Sequence, residues 1–533
     1  MIDAQQFHNL TKHSRESLRQ SRWRMDFTNK PFPFKLYKDI FPIALPQEFS
    51  LPEEQCLQTL IDHKYSPETF VLDKKFLASL LFFTGGVSRI INGNFMRTAS
   101  ATGALYPIEL YLIIQHFSDL EDGLYHFSVG DFSLNQLRKG NFFPYVAQNS
   151  SDPEIIQKSF VTILMTSYAW RNSWKYQERS YRHWYWDGGV MLSNLMAICS
   201  NYQLKSKIVT VFKDKEINTL ASLREHQEVV ISLIPIYFES ATSQTIQEDF
   251  PVQDIKELQV NFLRSSPKEI NFPIIWEIHE KTSIFKNQEL KSWSDKAKNY
   301  KEFIKVPLPS EVYLDYTKRN ILSLEQAILQ RGSTNRFARG LLSQEILMTI
   351  LKTSNSGIPM DLYPDEYSTI IECYLNVHNV EGLEPGAYYY NVTRQKLECI
   401  KTGQFKEKTA FLCLGQQLFG TTHVTIFLLS NLTNLLKKFG DRAYRIAQLE
   451  GGIISGKIYL ASFAVGIGAR GTTFFDDEVI DHFSPHAKGK DVMMAVGIGK
   501  PDYIAKKGKK LGPLFSREEL ITELESYLNG HDL

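Results

Sequence analysis

The sequence repeats itself at a distance of about half its length. Residues 175–189 (KYQERSYRHWYWDGG) and 438–452 (KFGDRAYRIAQLEGG) share six identical residues in fifteen, at an offset of 263 positions. The same offset places Glu109 on Glu372 in a separate segment. A period this long excludes a solenoid, whose repeats run to about 20–45 residues. The 533-residue chain is therefore predicted to contain one fold of about 260 residues twice.

Both copies have the same predicted order of helices and strands, which is typical of an α+β fold. Helices are predicted from apolar spacing at 72–81 and 342–351, and after the Gly-Gly pairs at 189–200 and 452–463. Strands are predicted at 109–114, 160–165, 208–212 and 229–236, and again at 372–377, 424–429, 471–475 and 492–498. We place the first domain at 1–250, a polar connecting segment at 251–315 and the second domain at 316–533.

Composition excludes several classes of protein. Sixty basic against fifty-nine acidic residues leave a net charge of +1, so nucleic-acid binding driven by net charge is not expected. Five cysteines without a CxxC pair argue against a disulfide framework or a cysteine-rich metal site. No apolar run approaches the ~20 residues of a membrane span, and no secretory signal is visible. A cytoplasmic protein without membrane or metal is the expectation.

One glycine motif is misleading. Residues 466–471 (GIGARG) match GxGxxG, but they follow a predicted helix and lead into a predicted strand. The dinucleotide-binding motif needs a strand before it and a helix after it. We therefore do not expect a Rossmann-type site here.

Three segments carry candidate chemistry, and each has a plainer alternative. Residues 97–111 (RTASATGALYPIELY) combine an arginine with small residues that let backbone approach a flat ligand, or they form an ordinary polar loop. Residues 331–335 (RGSTN) suit a phosphate, unless Ser333 is a helix N-cap. Lys175 and Tyr176 with Arg179 and Arg182 suit catalysis, or they are a solvated basic face.

Together these segments resemble the FMN-dependent nitroreductase superfamily, in particular its SagB/ThcOx-type dehydrogenase branch. RTASATGALYPIELY followed by GLYHF is similar to that branch's small-residue loop, WKYQERSYRHWYWDGG to its Lys-Tyr segment, and ILQRGSTNRF to the superfamily's phosphate motif. The sequence departs from the usual pattern at Ala99, Thr102, Asp187 and Asn335. The resemblance implies two nitroreductase-like domains, each with a mixed or antiparallel central sheet flanked by helices, packed as an internal pseudo-dimer that needs no second chain.

The resemblance also implies an activity. Members of this branch oxidise thiazolines or oxazolines in peptides to thiazoles or oxazoles, with hydride transfer to the flavin. A Lys-Tyr pair, here Lys175 and Tyr176, is thought to remove the ring proton. A lysine can act as a base only if its pKa is lowered by burial or like charge, and Arg179 and Arg182 are expected to supply that charge. The implied partners are a peptide or small-molecule substrate and other proteins of natural-product biosynthesis.

We expect one FMN per chain, because neither copy has every part of a site. The second copy keeps the phosphate motif and a basic tail at 506–510, whereas the first has Asp62 and Lys64 in the aligned stretch 61–65. The first copy alone keeps the small-residue loop. The expected cofactor-binding residues, drawn from both copies, are Arg97, Thr98, Ser100, Ala101, Gly103, Arg331, Gly332, Ser333, Asn335, Gly471, Thr472, Thr473, Lys506 and Lys510.

Two other functions stay open from the sequence. One is a general nitro, quinone or ene reductase that uses NAD(P)H. The other is a flavin-free duplicated module that binds a substrate for a partner enzyme. The colour of the purified protein distinguishes the flavin-free module from the dehydrogenase and the reductase, because a bound isoalloxazine absorbs near ~450 nm.

Overall fold

The computed structural model describes residues 2–61, 70–239, 255–258, 260–308, 321–510 and 512–530. We refer to residues 2–239 as the first half and residues 321–530 as the second half. Each half contains one large sheet in which all neighbouring strands are antiparallel. No helix of the described residues is long and apolar enough to cross a membrane.

The strands of the first half form a seven-stranded sheet and a separate hairpin. In chain order they are β1 (Pro42–Ala44), β2 (Val87–Ile91), β3 (Asn94–Arg97), β4 (Ile108–Ile114), β5 (Gly123–Ser128), β6 (Ser133–Lys139), β7 (Val161–Tyr168), β8 (Lys205–Ser206) and β9 (Glu228–Tyr237). The sheet order is β1-β6-β5-β4-β7-β9-β8, and β2 pairs with β3. Every residue of the central strands β4 and β7 is buried, because both faces of the sheet are covered.

The second sheet repeats this order without the first edge strand. After the short pair β10 (Ile304–Lys305) and β11 (Ser368–Thr369), its strands are β12 (Glu372–Val377), β13 (Gly386–Asn391), β14 (Lys396–Thr402), β15 (Val424–Ser430), β16 (Gly468–Thr472) and β17 (Asp491–Gly499). Their order is β14-β13-β12-β15-β17-β16. The predicted α+β class with two sheet-containing domains is confirmed.

Helices cover the sheets and join the halves. They are α1 (Ala4–Leu10), α2 (Arg15–Gln20), α3 (Cys56–Ile61), α4 (Lys74–Gly85), α5 (Phe143–Gln148), α6 (Pro153–Lys158), α7 (Ala169–Tyr176), α8 (Ser180–Asn201), α9 (Asp214–Leu220), α10 (Pro273–Lys281), α11 (Asn287–Asn299), α12 (Leu324–Gln330), α13 (Gln344–Ser354), α14 (Lys406–Leu412), α15 (Leu432–Phe439), α16 (Ala443–Ala464), α17 (Asp476–Phe483) and α18 (Arg517–Leu528). The connecting segment therefore contains helices α10 and α11.

Helices α8 and α16 cross at their repeated glycines. A Cβ on Gly189 would lie 2.3 Å from the Leu449 carbonyl oxygen, and one on Gly452 would lie 2.5 Å from the Trp186 carbonyl oxygen. The prediction that these helices start after the Gly-Gly pairs is wrong, because both helices begin nine residues earlier and the glycines lie inside them. The glycines are present because they let two backbones touch.

Two buried ion-pair clusters bind each half to the other. In each cluster, two arginines at the start of a central helix bind one aspartate of the opposite half: Arg179 and Arg182 bind Asp476, and Arg442 and Arg445 bind Asp214. Burial alone would raise the pKa of Asp214, but Arg442 and Arg445 outweigh it and hold that pKa at about 2. Removing one partner would leave an unpaired buried charge, so these clusters fix how the halves meet.

Both ends of the described chain lie on the opposite half. Near the amino end, the backbone N–H of Ala4 donates to Asp441 at 2.9 Å. Near the carboxyl end, the guanidinium of Arg517 lies 2.7 Å from the Asp131 carboxylate. The two ends of the chain therefore join the halves in addition to the contacts between the central helices.

We expect Gly452→Ala to destabilise the chain by about 3 kcal/mol or more, because the new methyl meets backbone that cannot rotate away. The matched variant Gly85→Ala, in helix α4, meets only the flexible end of Met191 at 3.2 Å and should cost less than about 1 kcal/mol. Chemical denaturation of both variants measures the difference. Equal free energies of unfolding would contradict the close crossing.

Candidate active site

The small-residue loop of the first half is held in place at both ends. It follows β3, and Gly103 adopts a φ of 64°, which a glycine tolerates easily. Asp187 of α8 accepts hydrogen bonds at 2.7 Å from the backbone N–H and the hydroxyl of Thr102. At the other end, the guanidinium of Arg97 donates to the carbonyl oxygens of Ile108 and Pro33. The Arg97 side chain is therefore part of the scaffold.

Arg331 of the second half binds the same loop. Its Nε donates to the carbonyl oxygen of Thr98 at 3.0 Å, and its Nη2 donates to the carbonyl oxygen of Arg97 at 2.9 Å. Arg331 is only 6% exposed. The structure thus brings together two segments that are more than 200 residues apart in sequence and that were both predicted to contact the cofactor.

A second arginine, Arg89 of strand β2, lies beside Arg331. Its Nη2 donates to the Arg331 carbonyl oxygen at 2.7 Å and to that of Leu329, while its Nε is buried without a hydrogen-bond partner among the described residues. Burial and the charge of Arg331 lower the pKa of Arg89 to about 10. Arg331 is buried and Arg89 is half-buried. Two neighbouring positive charges repel each other, so this arrangement suits a bound anion.

The basic tail passes directly over this arginine pair. Gly508 donates its N–H to the Leu329 carbonyl oxygen at 2.7 Å, and a Cβ on Gly508 would lie 3.1 Å from the Arg89 Nε. Of the two predicted lysines, Lys506 is exposed, and Lys510 places its Nζ 3.7 Å from the centre of the Phe49 ring. A pocket of about 490 Å³ borders this tail.

The remaining second-half residues lie along strand β16. Gly471 donates its N–H to the hydroxyl of Tyr459, and Thr472 accepts a hydrogen bond from Gln416 at 2.8 Å. The Thr473 hydroxyl is buried without a partner in the described part of the chain. Ser333 pairs with Ala469 at the base of the same strand.

Residues 332–335 border strand β16 and start no helix. Asn335 binds the guanidinium of Arg470 through its side-chain oxygen. Gly332 lies against Arg89, whose Nη1 would be 3.1 Å from a Cβ at that position. The alternative that Ser333 is a helix N-cap is wrong, because α12 ends before it and α13 begins only at Gln344.

Lys175 and Tyr176 end helix α7 next to the loop. A Cβ on Gly103 would lie 2.7 Å from the Tyr176 hydroxyl, so Tyr176 contacts the loop directly. Burial and the nearby charge of Lys30 lower the pKa of Lys175. The prediction that Arg179 and Arg182 supply this charge is wrong, because both are paired with Asp476. Both are also buried, so they are not a solvated basic face.

The equivalent cleft between the halves is filled by the chain itself. The segment 208–211, which the repeat places on 471–474, binds the carboxylate of Asp361. Thr210 and Val211 donate their N–H groups to it at 2.9 Å each, and the Thr210 hydroxyl donates at 2.6 Å. The prediction of a strand at 208–212 is therefore wrong. Only isolated bridges form there, and two of the backbone N–H groups donate to Asp361 instead of to a neighbouring strand.

Several site residues were not predicted from the sequence. Arg89 carried no motif, and Tyr459 lies in an apolar helix. Asp187 was noticed only as a departure from the family pattern, although it anchors the loop. The predicted counterparts Asp62 and Lys64 lie outside the described residues.

Comparison with known proteins supports the fold. No protein-family model matches the chain. A curated protein of Methanocaldococcus jannaschii, provisionally named a nitroreductase, is 25% identical over 165 residues, which are 30% of this chain and 82% of that protein. A solved structure from Anabaena variabilis with the same provisional name has 23% identity and a TM-score of 0.71, covering 93% of this chain and 99% of its own.

A third similarity is weaker. The E. coli microcin synthetase McbBCD, solved with truncated pro-MccB17, has 16% identity and a TM-score of 0.29 over 44% of this chain and 87% of that one, which supports no conclusion. The Anabaena variabilis superposition extends over both halves. The chain therefore has a nitroreductase-like fold.

Asp187 should make stability depend on pH. Burial raises its pKa to about 6, above the ~3.9 of an unfolded aspartate, so its contribution to stability is present at low pH and is lost as the pH rises through about 6. We expect Asp187→Asn, which keeps an acceptor for Thr102, to be more stable than the wild type by about 1–3 kcal/mol at pH 7.5, and this gain should shrink toward pH 5.

Thermal unfolding at several pH values measures this effect. Asp502 is exposed, so Asp502→Asn is the control, and its difference in stability from the wild type should not change with pH. A difference between wild type and Asp187→Asn that does not change with pH would contradict the assignment.

Proposed function

We propose that the protein is an FMN-dependent oxidoreductase that holds one FMN per chain between its halves. The observation that carries the proposal is a pair of neighbouring arginines, the buried Arg331 and the half-buried Arg89, beside the small-residue loop. A phosphate would neutralise both arginines and give the unpartnered Arg89 Nε an acceptor. The residues present therefore fit the phosphate of a flavin mononucleotide.

The ring would lie between the loop 97–103 and residues 471–473. Glycine and small side chains on both sides leave room for a flat ligand, and the unpartnered Thr473 hydroxyl could hydrogen-bond it. When bound, the flavin supplies a two-electron hydride acceptor or donor. The second cleft would hold no flavin, because Asp361 binds the backbone there and its negative charge would repel a phosphate.

The reaction we propose is dehydrogenation of an azoline-type ring, or a related group, in a peptide or natural product. Its substrate carbon must lose a proton as it loses a hydride. Burial and the charge of Lys30 lower the pKa of Lys175, which is the direction that such a base requires. Burial raises the pKa of Tyr176, so its phenol stays protonated and can donate a hydrogen bond but does not act as a base.

A second candidate is an NAD(P)H-dependent nitro, quinone or ene reductase. Two similar proteins are provisionally named nitroreductases, which favours the reduction of nitro groups. Rapid bleaching of the flavin by NADPH alone would support it over the first. Reduction of the flavin by a thiazoline peptide without NADPH would support the dehydrogenase.

The phosphate assignment predicts a preference for FMN over riboflavin of about 100-fold in dissociation constant. Arg331→Ala and Arg89→Ala should each reduce that preference to less than about 10-fold, because the flavin contact that each removes is to the phosphate, which riboflavin lacks. Calorimetric titration with both flavins separates this effect from damage to the loop, which would weaken both ligands equally. The exposed Arg394→Ala is the control, and an unchanged preference in both variants would refute the site.

Lys175→Ala should lower the rate of dehydrogenation by about 100-fold or more, while the bound flavin and its spectrum stay unchanged. Lys438→Ala is the matched control, since the repeat places it on Lys175 but it is exposed in the second half. Flavin content and substrate-driven flavin reduction are measured on the same preparations. Loss of the flavin together with the activity would mean that Lys175 is structural.

A further inference from the structure

Residues 14–30, which we call the basic arm, concentrate positive charge in a chain that is nearly neutral. The arm has five cations and two carboxylates, whereas the whole chain has 60 and 59. Both carboxylates accept hydrogen bonds from neutral neighbours inside the arm, Gln20 and Thr28. Three of the cations are exposed arginines: Arg19, Arg22 and Arg24. This local excess of exposed positive charge suits an anionic partner.

The amino end of the basic arm is attached to the second half. The backbone N–H of His13, just before the arm, donates to the carboxylate of Asp476 at 2.8 Å. The guanidinium of Arg15 lies 4.3 Å from the centre of the Phe411 ring. Asp476 comes three residues after Thr473, one of the residues proposed to line the flavin ring. The arm therefore starts beside the second-half wall of the proposed site.

The other end of the basic arm is attached to the first half, next to the proposed base. The indole N–H of Trp23 donates to the carbonyl oxygen of Trp174 at 3.0 Å, and the indole N–H of Trp174 donates to that of Asp26 at 2.9 Å. Trp174 directly precedes Lys175 in helix α7. Burial and the charge of Lys30 lower the pKa of Lys175, so this end of the arm acts on the base electrostatically. The arm thus runs from one wall of the proposed cleft to the other.

We propose that the basic arm docks an acidic segment of the peptide whose ring enters the cleft, with the exposed arginines binding its carboxylates. This inference rests on the proposed function and narrows its substrate class to peptides with acidic residues near the reacting ring. The planar guanidinium fits a carboxylate through two parallel hydrogen bonds. Because the arm is tied down at both ends, binding would need little further ordering of the protein.

Two other anionic partners fit the basic arm less well. A net charge of +1 gives the chain little long-range attraction for a nucleic acid. Helix α2, the α-helix of the arm, contains one apolar residue, Leu18, so it has no apolar face to insert into a membrane surface. A peptide is the partner that uses both the charge of the arm and its position beside Lys175.

The test removes the three exposed charges together, in the full-length chain, as Arg19→Gln, Arg22→Gln and Arg24→Gln. The matched control removes three exposed charges from helix α11, as Lys291→Gln, Lys296→Gln and Lys298→Gln. Because all six side chains are exposed, both triple variants should fold, and their melting temperatures check this.

The probes are short peptides that each carry one thiazole. Two acidic peptides have a run of four aspartates on the amino or on the carboxyl side of the ring, and two neutral peptides have asparagines in the same places. Calorimetric titration gives the dissociation constants at low and at high salt. The same sequences with a thiazoline in place of the thiazole serve as substrates for kinetics.

We expect at least one acidic peptide to bind the wild type about 10-fold more tightly than its neutral partner at low salt, which is the scale of three exposed ion pairs. High salt should reduce this preference. The arginine variant should bring it below about 2-fold and raise KM for the acidic thiazoline about 10-fold at unchanged kcat, because docking is lost and the chemistry is not. The α11 variant should behave as the wild type.

Equal binding of the acidic and neutral peptides by the wild type would overturn the proposal, as would an equal loss of preference in the α11 variant. Tighter binding of a short RNA, or of vesicles of phosphatidylglycerol and phosphatidylcholine, that depends on the same arginines would also overturn it. Failure of the proposed function is seen separately, as missing flavin absorbance or missing turnover in a wild type whose peptide dissociation constants are still measurable.

Discussion

The backbone contact between helices α8 and α16 is the constraint on which the rest of the structure depends. Only glycine lets the helices approach until a Cβ would meet a carbonyl oxygen at 2.3–2.5 Å. That distance sets how the two sheets face each other, and the arginine–aspartate clusters at the start of each helix then lock the arrangement. The cofactor site that we propose, assembled from both halves, depends on this arrangement, because Arg331 must reach the loop of the other half.

This helix crossing creates two equivalent clefts between the halves, and the two clefts are lined by different residues. Beside the first-half loop, Arg89 and Arg331 lie together, and the Nε of Arg89 has no hydrogen-bond partner among the described residues. In the other cleft, Asp361 binds the backbone donors, and the segment around it contacts two buried charged residues: Tyr363 donates to Glu450, and Lys457 donates to Ser356. Burial raises the pKa of Glu450 to about 7 and lowers that of Lys457 to about 7. The first cleft is the one in which we propose that an anionic ligand binds, whereas in the second Asp361 binds the backbone.

Much of the fold could be predicted, because buried strands leave long apolar runs in the sequence. The strand at 372–377 was predicted to the residue, and 424–429 to within one. The starts of α8 and α16 were missed because glycine was read as a helix boundary, whereas here it serves packing between helices. The side-chain contacts of Arg89 and Asp187 could not be predicted, since each joins segments that meet only in the folded chain.

The most direct test of the account is to count the flavins bound to one chain. Native mass spectrometry of the chain saturated with FMN should show a single added FMN, because only one cleft combines the arginine pair with an open loop. A chain that carries two FMN molecules would contradict the account, since the second would have to displace Asp361 from the backbone it binds.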